Sequence, residues 1–172
     1  MDKQNEKVIY EGKRLKLKVS QYQKDGQNIE IENVEVKDSV VIVAVKYNGN
    51  ILLVQEERPV IGKMTLACPA GLIEENEKPV EAAHRELEEE TGYLAGKITF
   101  LRKTYTSCGY TNETQYFYLA ENLYVTEQRP DPNEFIAVKE YTPQEVMEMI
   151  ADGTIDTSSA VIGLLDYFLK RG

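Results

Sequence analysis

Apolar and polar residues alternate with a period of two early in the chain. Leu15, Leu17 and Val19 interleave with Arg14, Lys16 and Lys18, and Ile29, Ile31 and Val34 follow after Lys24-Asp25-Gly26. This alternation predicts strands, and Asp25-Gly26 predicts the turn of a hairpin or short meander within residues 8–36. Two or three strands are marginal alone, so this piece is expected to pack on the rest of the chain or on another chain. Residues 40–45 then form an unbroken apolar run, as in a strand covered on both faces. Asn48-Gly49-Asn50 turns the chain into a second strand at 51–55.

The period changes after Pro79, which suits a first helical turn because its missing N–H would be unpaired there anyway. Gly92 falls just past the end of that helix, where a left-handed cap costs glycine nothing. Val80, Ala83 and Leu87 share one face and are expected to meet the core. Strands are predicted at 98–104, 115–119 and 136–141, the first two flanking a loop at 105–113. Thr142-Pro143-Gln144-Glu145 is a capping box that starts another helix. A last helix is expected from Asp156 or Thr157 to Lys170, with Val161, Leu164, Leu165 and Phe168 inward.

The first helix carries an energetic conflict. Glu86, Glu89 and Glu90 project together at i, i+3 and i+4. Such a pair costs a few tenths of a kcal/mol on an exposed helix, rising to about 3 kcal/mol at ~5 Å in an effective dielectric of ~20. They also lie in the last turns, where the helix dipole favours cations. Either water solvates them fully or a cation sits over them.

Composition narrows the choice. The chain has 172 residues, 42% hydrophobic and 28% charged, which suits one globular domain able to bury a core. No apolar run approaches the ~18 residues of a membrane span, and Met1-Asp2-Lys3-Gln4-Asn5-Glu6 lacks a secretion signal's apolar core. A cytoplasmic location is expected, with no membrane partner. Cys68 and Cys108 are too few for a disulfide framework. A net charge of −9 leaves no basic stripe for a nucleic-acid polymer. A small phosphate ester remains possible if a divalent cation bridges the two sets of negative charge.

The spacing from Gly71 through Glu77, Arg85-Glu86, Leu87 and Glu89-Glu90 to Gly92 resembles the signature of the Nudix hydrolases, which cleave nucleoside diphosphates linked to another group. Tyr93 stands where that signature more often has an aliphatic residue. The resemblance implies a Nudix α/β/α sandwich with a mixed sheet over residues 38–172. N-terminal antiparallel β-strands over residues 1–37 would precede it and be exchanged across a homodimer. It also implies Mg²⁺, with Mn²⁺ as an alternative, held by Glu86 and Glu90, assisted by Glu89 and the carbonyl of Ala70. An all-oxygen donor set matches such hard ions. Arg85 would pair with Glu77 to hold loop against helix, with Gly71 and Gly92 shaping the backbone.

The Pro69-Ala70-Gly71 triplet and the Ser107, Gly109 and Glu113 positions resemble the ADP-ribose pyrophosphatase branch. In that branch a glutamate is common where Ala67 stands, a glycine where Asn76 stands and a proline where Cys108 stands. The resemblance implies hydrolysis of ADP-ribose to AMP and ribose 5-phosphate. Arg58 would meet the phosphates and Tyr110 the base or ribose, while Glu113, with Glu89, would serve the attacking water. The alternatives are another nucleotide sugar such as GDP-mannose, a dinucleotide, or a Nudix-type sensor that binds without cleaving.

Overall fold

The computed structural model describes residues 1–129 and 135–171. Residues 130–134 and Gly172, which fall within the expected domain 38–172, lie outside the described residues. The chain divides into two compact units.

The first unit combines Met1–Asp38 with Lys103–Gln115. Its strands β1 (Asp2–Glu11), β2 (Leu15–Lys24) and β3 (Gln27–Val36) form an antiparallel sheet in the order β1-β2-β3. The β2–β3 turn is the expected one, with Asp25 at φ 51° and Gly26 at φ 78°. Positive φ at both central residues matches the right-handed twist of the flanking strands. The strand β1 is exposed along its whole length, so no buried alternation marked it in the sequence.

The second unit holds Ser39–Arg102 and Tyr116–Gly172. It is built on β4 (Ser39–Val45), β5 (Ile51–Arg58), β6 (Lys63–Ala67), β7 (Ala70–Leu72), most of β8 (Tyr93–Tyr105), most of β9 (Thr114–Val125) and β10 (Ile136–Tyr141). The sheet order is β10-β5-β4-β9-β8, with β6 on β5 and β7 on β4. Helices α1 (Pro79–Thr91), α2 (Pro143–Ala151) and α3 (Ser158–Arg171) complete it. The short strands β6 and β7 have no counterpart among the predicted elements.

Strand β4 explains the layering. Val41, Val43 and Val45 join a core with Val146 of α2 and Ala160, Leu164 and Tyr167 of α3. Val40, Ile42 and Ala44 join another with Ala82, Ala83 and Leu87 of α1. Alternate side chains of one strand thus feed two layers, and the expected α/β/α sandwich with a mixed sheet follows.

Two expected helix faces are each corrected at one residue. Val80 is 38% exposed, and the buried stripe of α1 runs through Ala82, Ala83 and Leu87. Two alanines let the helix axis approach β4 more closely than a valine would. In α3 Leu164 is buried and Val161 and Phe168 pack against the core as expected, Ala160, Gly163 and Tyr167 are buried beside them, and only Leu165 departs, at 37% exposed. Gly163 turns inward because a Cβ there would lie 3.3 Å from Phe117 and Val43. Thr142 and Glu145 make the predicted capping box at α2: Glu145 N donates to Thr142 Oγ1 at 3.3 Å and Thr142 N to Glu145 Oε2 at 2.7 Å. No helix among the described residues is long and apolar enough to cross a membrane.

A polar clasp holds the β4–β5 turn to β10. Glu140 accepts from Lys46 Nζ at 2.7 Å, Asn48 Nδ2 at 3.0 Å and Asn50 Nδ2 at 2.9 Å. Hydrogen bonding from Lys46, then from the two asparagines, holds its carboxyl at about 2, below the ordinary 4.5. A carboxylate depressed in the folded chain stabilises it above pH ~4.5, and the contribution fades as pH falls toward 2. The melting-temperature gap between wild type and Glu140→Gln is therefore expected to be full at pH 7 and to close between about pH 4.5 and 2 in calorimetric scans. A gap independent of pH would contradict this.

Candidate active site

The backbone of the site is set by β7. It pairs antiparallel with β4 through Val40↔Gly71 and Val41↔Ala70, and Ile42 N donates to Pro69 O at 2.8 Å. The chain then loops to α1 through Asn76, whose φ of 65° is left-handed. Asparagine tolerates that conformation better than other non-glycine residues, which fits its standing where the resemblance leads one to expect glycine. Glu81 Oε2 accepts Lys78 N at 3.0 Å and caps the start of α1.

Arg85 ties this loop to the helix. Its Nε and Nη2 donate to the two carboxylate oxygens of Glu77, each at 2.9 Å, and Nη2 also reaches Leu72 O at 2.9 Å. Glu77 in turn accepts Glu74 N at 2.9 Å. Hydrogen bonding from Arg85 holds the Glu77 carboxyl below its ordinary range, and the same pairing raises the guanidinium.

The expected Arg85–Glu77 pair is present, and Arg85 does more than hold loop against helix. Its Nη1 donates to Glu86 Oε1 at 2.7 Å and Glu89 Oε2 at 3.0 Å. A 100° offset between Cβ directions does not keep a long guanidinium from reaching its neighbour. The acidic face is thus neither fully solvated nor bare.

The third carboxylate is held differently. Glu90 is 5% exposed, and its Oε2 accepts the Ala70 N–H at 3.0 Å. Glu86 lies directly over Gly71, where a Cβ would fall 2.0 Å from its Cδ and Oε1. Gly71 therefore leaves the space that the Glu86 carboxylate fills. Gly92 closes α1 at φ 70°, its N–H donating to Glu88 O at 2.8 Å.

The structure thus gathers Ala70, Gly71, Glu77, Arg85, Glu86, Glu89 and Glu90 around the β7–α1 junction. Among the described residues, no three acidic, histidine or cysteine groups converge as a ready coordination shell. What the site has is an all-oxygen donor set, a glycine cradle under Glu86, and a guanidinium nitrogen shared by Glu86 and Glu89. Those features suit a hard cation.

Arg58 ends β5, and its Nη2 lies 2.7 Å from Glu56 Oε2. Its fork is therefore partly engaged. In the first unit, Tyr110 and Glu113 sit on the loop after β8. Tyr110 is 58% exposed, its carbonyl accepting Val34 N at 2.7 Å. Asn112 clasps the last residue of β3 by both its main-chain polar groups, accepting Val36 N at 2.9 Å and donating to Val36 O at 3.1 Å. Glu113 is half-buried and its N–H donates to Thr111 Oγ1 at 3.3 Å. Cys108 is exposed, yet the loop still turns without proline, because Tyr110 N and Thr111 N both donate to Ser107 O at 3.0 Å. Cys68 is buried, which pushes its thiol up to about 12 and leaves it inert. Sequence reasoning missed Glu56, Asn112 and the donors from residues 126–129 described below. All of them lie outside the signature spacing.

A NUDIX domain model matches residues 36–160. The chain belongs to the Nudix family. This Nudix chain is 35% identical over 145 residues to the ADP-ribose pyrophosphatase of Bacillus subtilis (strain 168), covering 83% of this chain and 78% of that protein. It is 32% identical over 159 residues to the methanol dehydrogenase activator of Bacillus methanolicus, covering 91% and 86%. Its fold is similar to a crystal structure of an ADP compounds hydrolase, with a TM-score of 0.86 at 22% identity over 99% of this chain and 96% of the other.

The cradle at Gly71 yields a test. The clashing atoms belong to the end of a flexible side chain, so Gly71→Ala is expected to leave thermal unfolding nearly unchanged while expelling the Glu86 carboxylate from its place. A crystal structure of the variant checks this. Glu86 still lying over residue 71 would contradict it.

Proposed function

We propose that this Nudix hydrolase cleaves the diphosphate of ADP-ribose in a Mg²⁺-dependent reaction, with Mn²⁺ as an alternative. Water adds to one phosphorus, the bridging P–O bond breaks, and AMP and ribose 5-phosphate leave. The observation that carries this reading is the crowded carboxylate face of α1, with two members already drawn onto a positive group. The relationship to an ADP-ribose pyrophosphatase at 35% identity supports the substrate.

In this reading Glu86, Glu89, Glu90 and the carbonyl of Ala70 hold the ion. When bound, it supplies positive charge against the developing phosphate charge and makes water more acidic. Arg85 keeps three bonds on Glu77 and Leu72, so its Nη1 can leave Glu86 and Glu89 without opening the loop–helix clamp. Glu90 keeps its place through the Ala70 N–H. Glu113 is assigned to orient or deprotonate the attacking water, Glu89 to assist, Arg58 to grip phosphate with its planar fork, and Tyr110 to touch base or ribose. Gly71 and Gly92 keep side chains out of the way.

We also assign the N-terminal sheet to contact with a second copy of the chain. The edge strand β1 exposes Val8, Ile9 and Tyr10, and unpaired strand edges invite pairing. Analytical ultracentrifugation of the chain without residues 1–11 should then show loss of dimer.

The reaction is tested by incubating purified protein with Mg²⁺ and a panel of nucleoside diphosphate compounds, following AMP release. ADP-ribose is expected to be the best substrate, and chelation of divalent ions should abolish turnover. Glu90→Gln keeps an acceptor for Ala70 N–H but loses a charge, so it should retain its fold and lose on the order of 10²-fold in kcat, since a bound ion contributes several kcal/mol at about 1.4 kcal/mol per tenfold. Product from none of the panel would favour a ligand sensor, and near-full turnover by the variant would remove Glu90 from the site.

A further inference from the structure

Helix α1 ends with no basic residue in its last turn, although that turn carries Glu89 and Glu90 and the negative end of the dipole. A helix leaves its last carbonyls without intrahelical partners. Here residues 126–129, just after β9, supply the donors. Arg129 N donates to Glu89 O at 3.0 Å, the Gln128 side chain to Glu90 O through Nε2 at 2.6 Å, and Thr126 N to Gly92 O at 2.8 Å. Thr126 Oγ1 also reaches Glu88 Oε1 at 3.3 Å. The approach is close: a Cβ on Gly92 would lie 3.0 Å from Gln128 N and 3.3 Å from Gln128 Cβ.

Of these donors, Gln128 alone reaches a main-chain carbonyl of α1 with its side chain, and that carbonyl belongs to Glu90. Glu90 is consequently held at both ends, its carboxylate by Ala70 N–H and its carbonyl by Gln128. A carboxylate whose main chain is fixed loses less freedom on meeting a cation, and so binds it more tightly.

We infer that Gln128 is a positioning residue: through the Glu90 carbonyl it sets the pose of the last turn of α1 and thereby the affinity of the acidic face for a divalent cation. This rests on the reading above that the acidic face holds such an ion. It adds a residue from outside the helix and outside the signature spacing.

The test uses the full-length protein without substrate. Gln128→Met keeps the side chain's length and removes its donor, and Gln128→Ala removes the side chain. Because Gln128 is exposed, both should retain cooperative thermal unfolding. Mn²⁺ affinity is read from the electron paramagnetic resonance signal of free Mn²⁺, and mobility of the last turn from amide hydrogen exchange in metal-free protein. Loss of one net hydrogen bond predicts affinity about three- to tenfold weaker in both variants, with a similar acceleration of exchange in that turn. In turnover assays the Mn²⁺ concentration at half-maximal rate should rise while kcat at saturating Mn²⁺ stays near wild type, a split that general destabilisation would not produce. Wild-type affinity or unchanged exchange in the variants overturns the inference alone. Absence of Mn²⁺ binding by the wild-type chain overturns the metal reading and this inference with it.

Discussion

The arrangement at the β7–α1 junction depends on a single guanidinium. Arg85 places donors on Glu77, Leu72, Glu86 and Glu89, and only a planar fork with several N–H groups can serve a loop and a helix face together. A lysine there would offer a compact point charge and could not match Glu77 with two parallel bonds. Because the loop and the acidic face share one cation, the positions of the carboxylates are set by how the loop folds. Gly71 matters for the same reason, since a side chain there would occupy the volume that Glu86 takes.

Much of the scaffold was legible because burial imposes a period. The apolar run of β4, the Asp25-Gly26 turn, the proline and glycine bracketing α1, and the Thr142 capping box each follow from one local rule, and each appears in the structure. What escaped depended on tertiary contacts. The inward face of α3 takes in Gly163, where a Cβ would lie 3.3 Å from Phe117 and Val43, and leaves Leu165 at 37% exposed, which no hydrophobic count on the helix alone would reveal. The strand β1 is fully exposed and so carries no buried alternation.

The site shows the same division. The residues gathered by spacing along one helix were readable from that spacing, as was the Glu77–Arg85 tie. The reach of Arg85 onto Glu86 was hidden because adjacent helical positions ordinarily face apart. The engagement of Arg58 by Glu56 within β5 and the clasp of Asn112 on Val36 were hidden too. Such partners are ordinary polar residues whose meaning comes only from what the fold brings beside them.

The strand β4, which supplies both core layers, also carries a liability. Its sequence Ser39-Val40-Val41-Ile42-Val43-Ala44-Val45 is β-prone, uncharged and free of proline, the composition from which cross-β stacks are built. Folded, it has neighbours on both faces and is out of reach of other chains. Asp38 and Lys46 bracket it with opposite charges, in the manner of gatekeepers that discourage self-association while the strand is still uncovered. Two flanking residues with no part assigned in the proposed chemistry are thereby placed to limit self-pairing of β4 before it is covered.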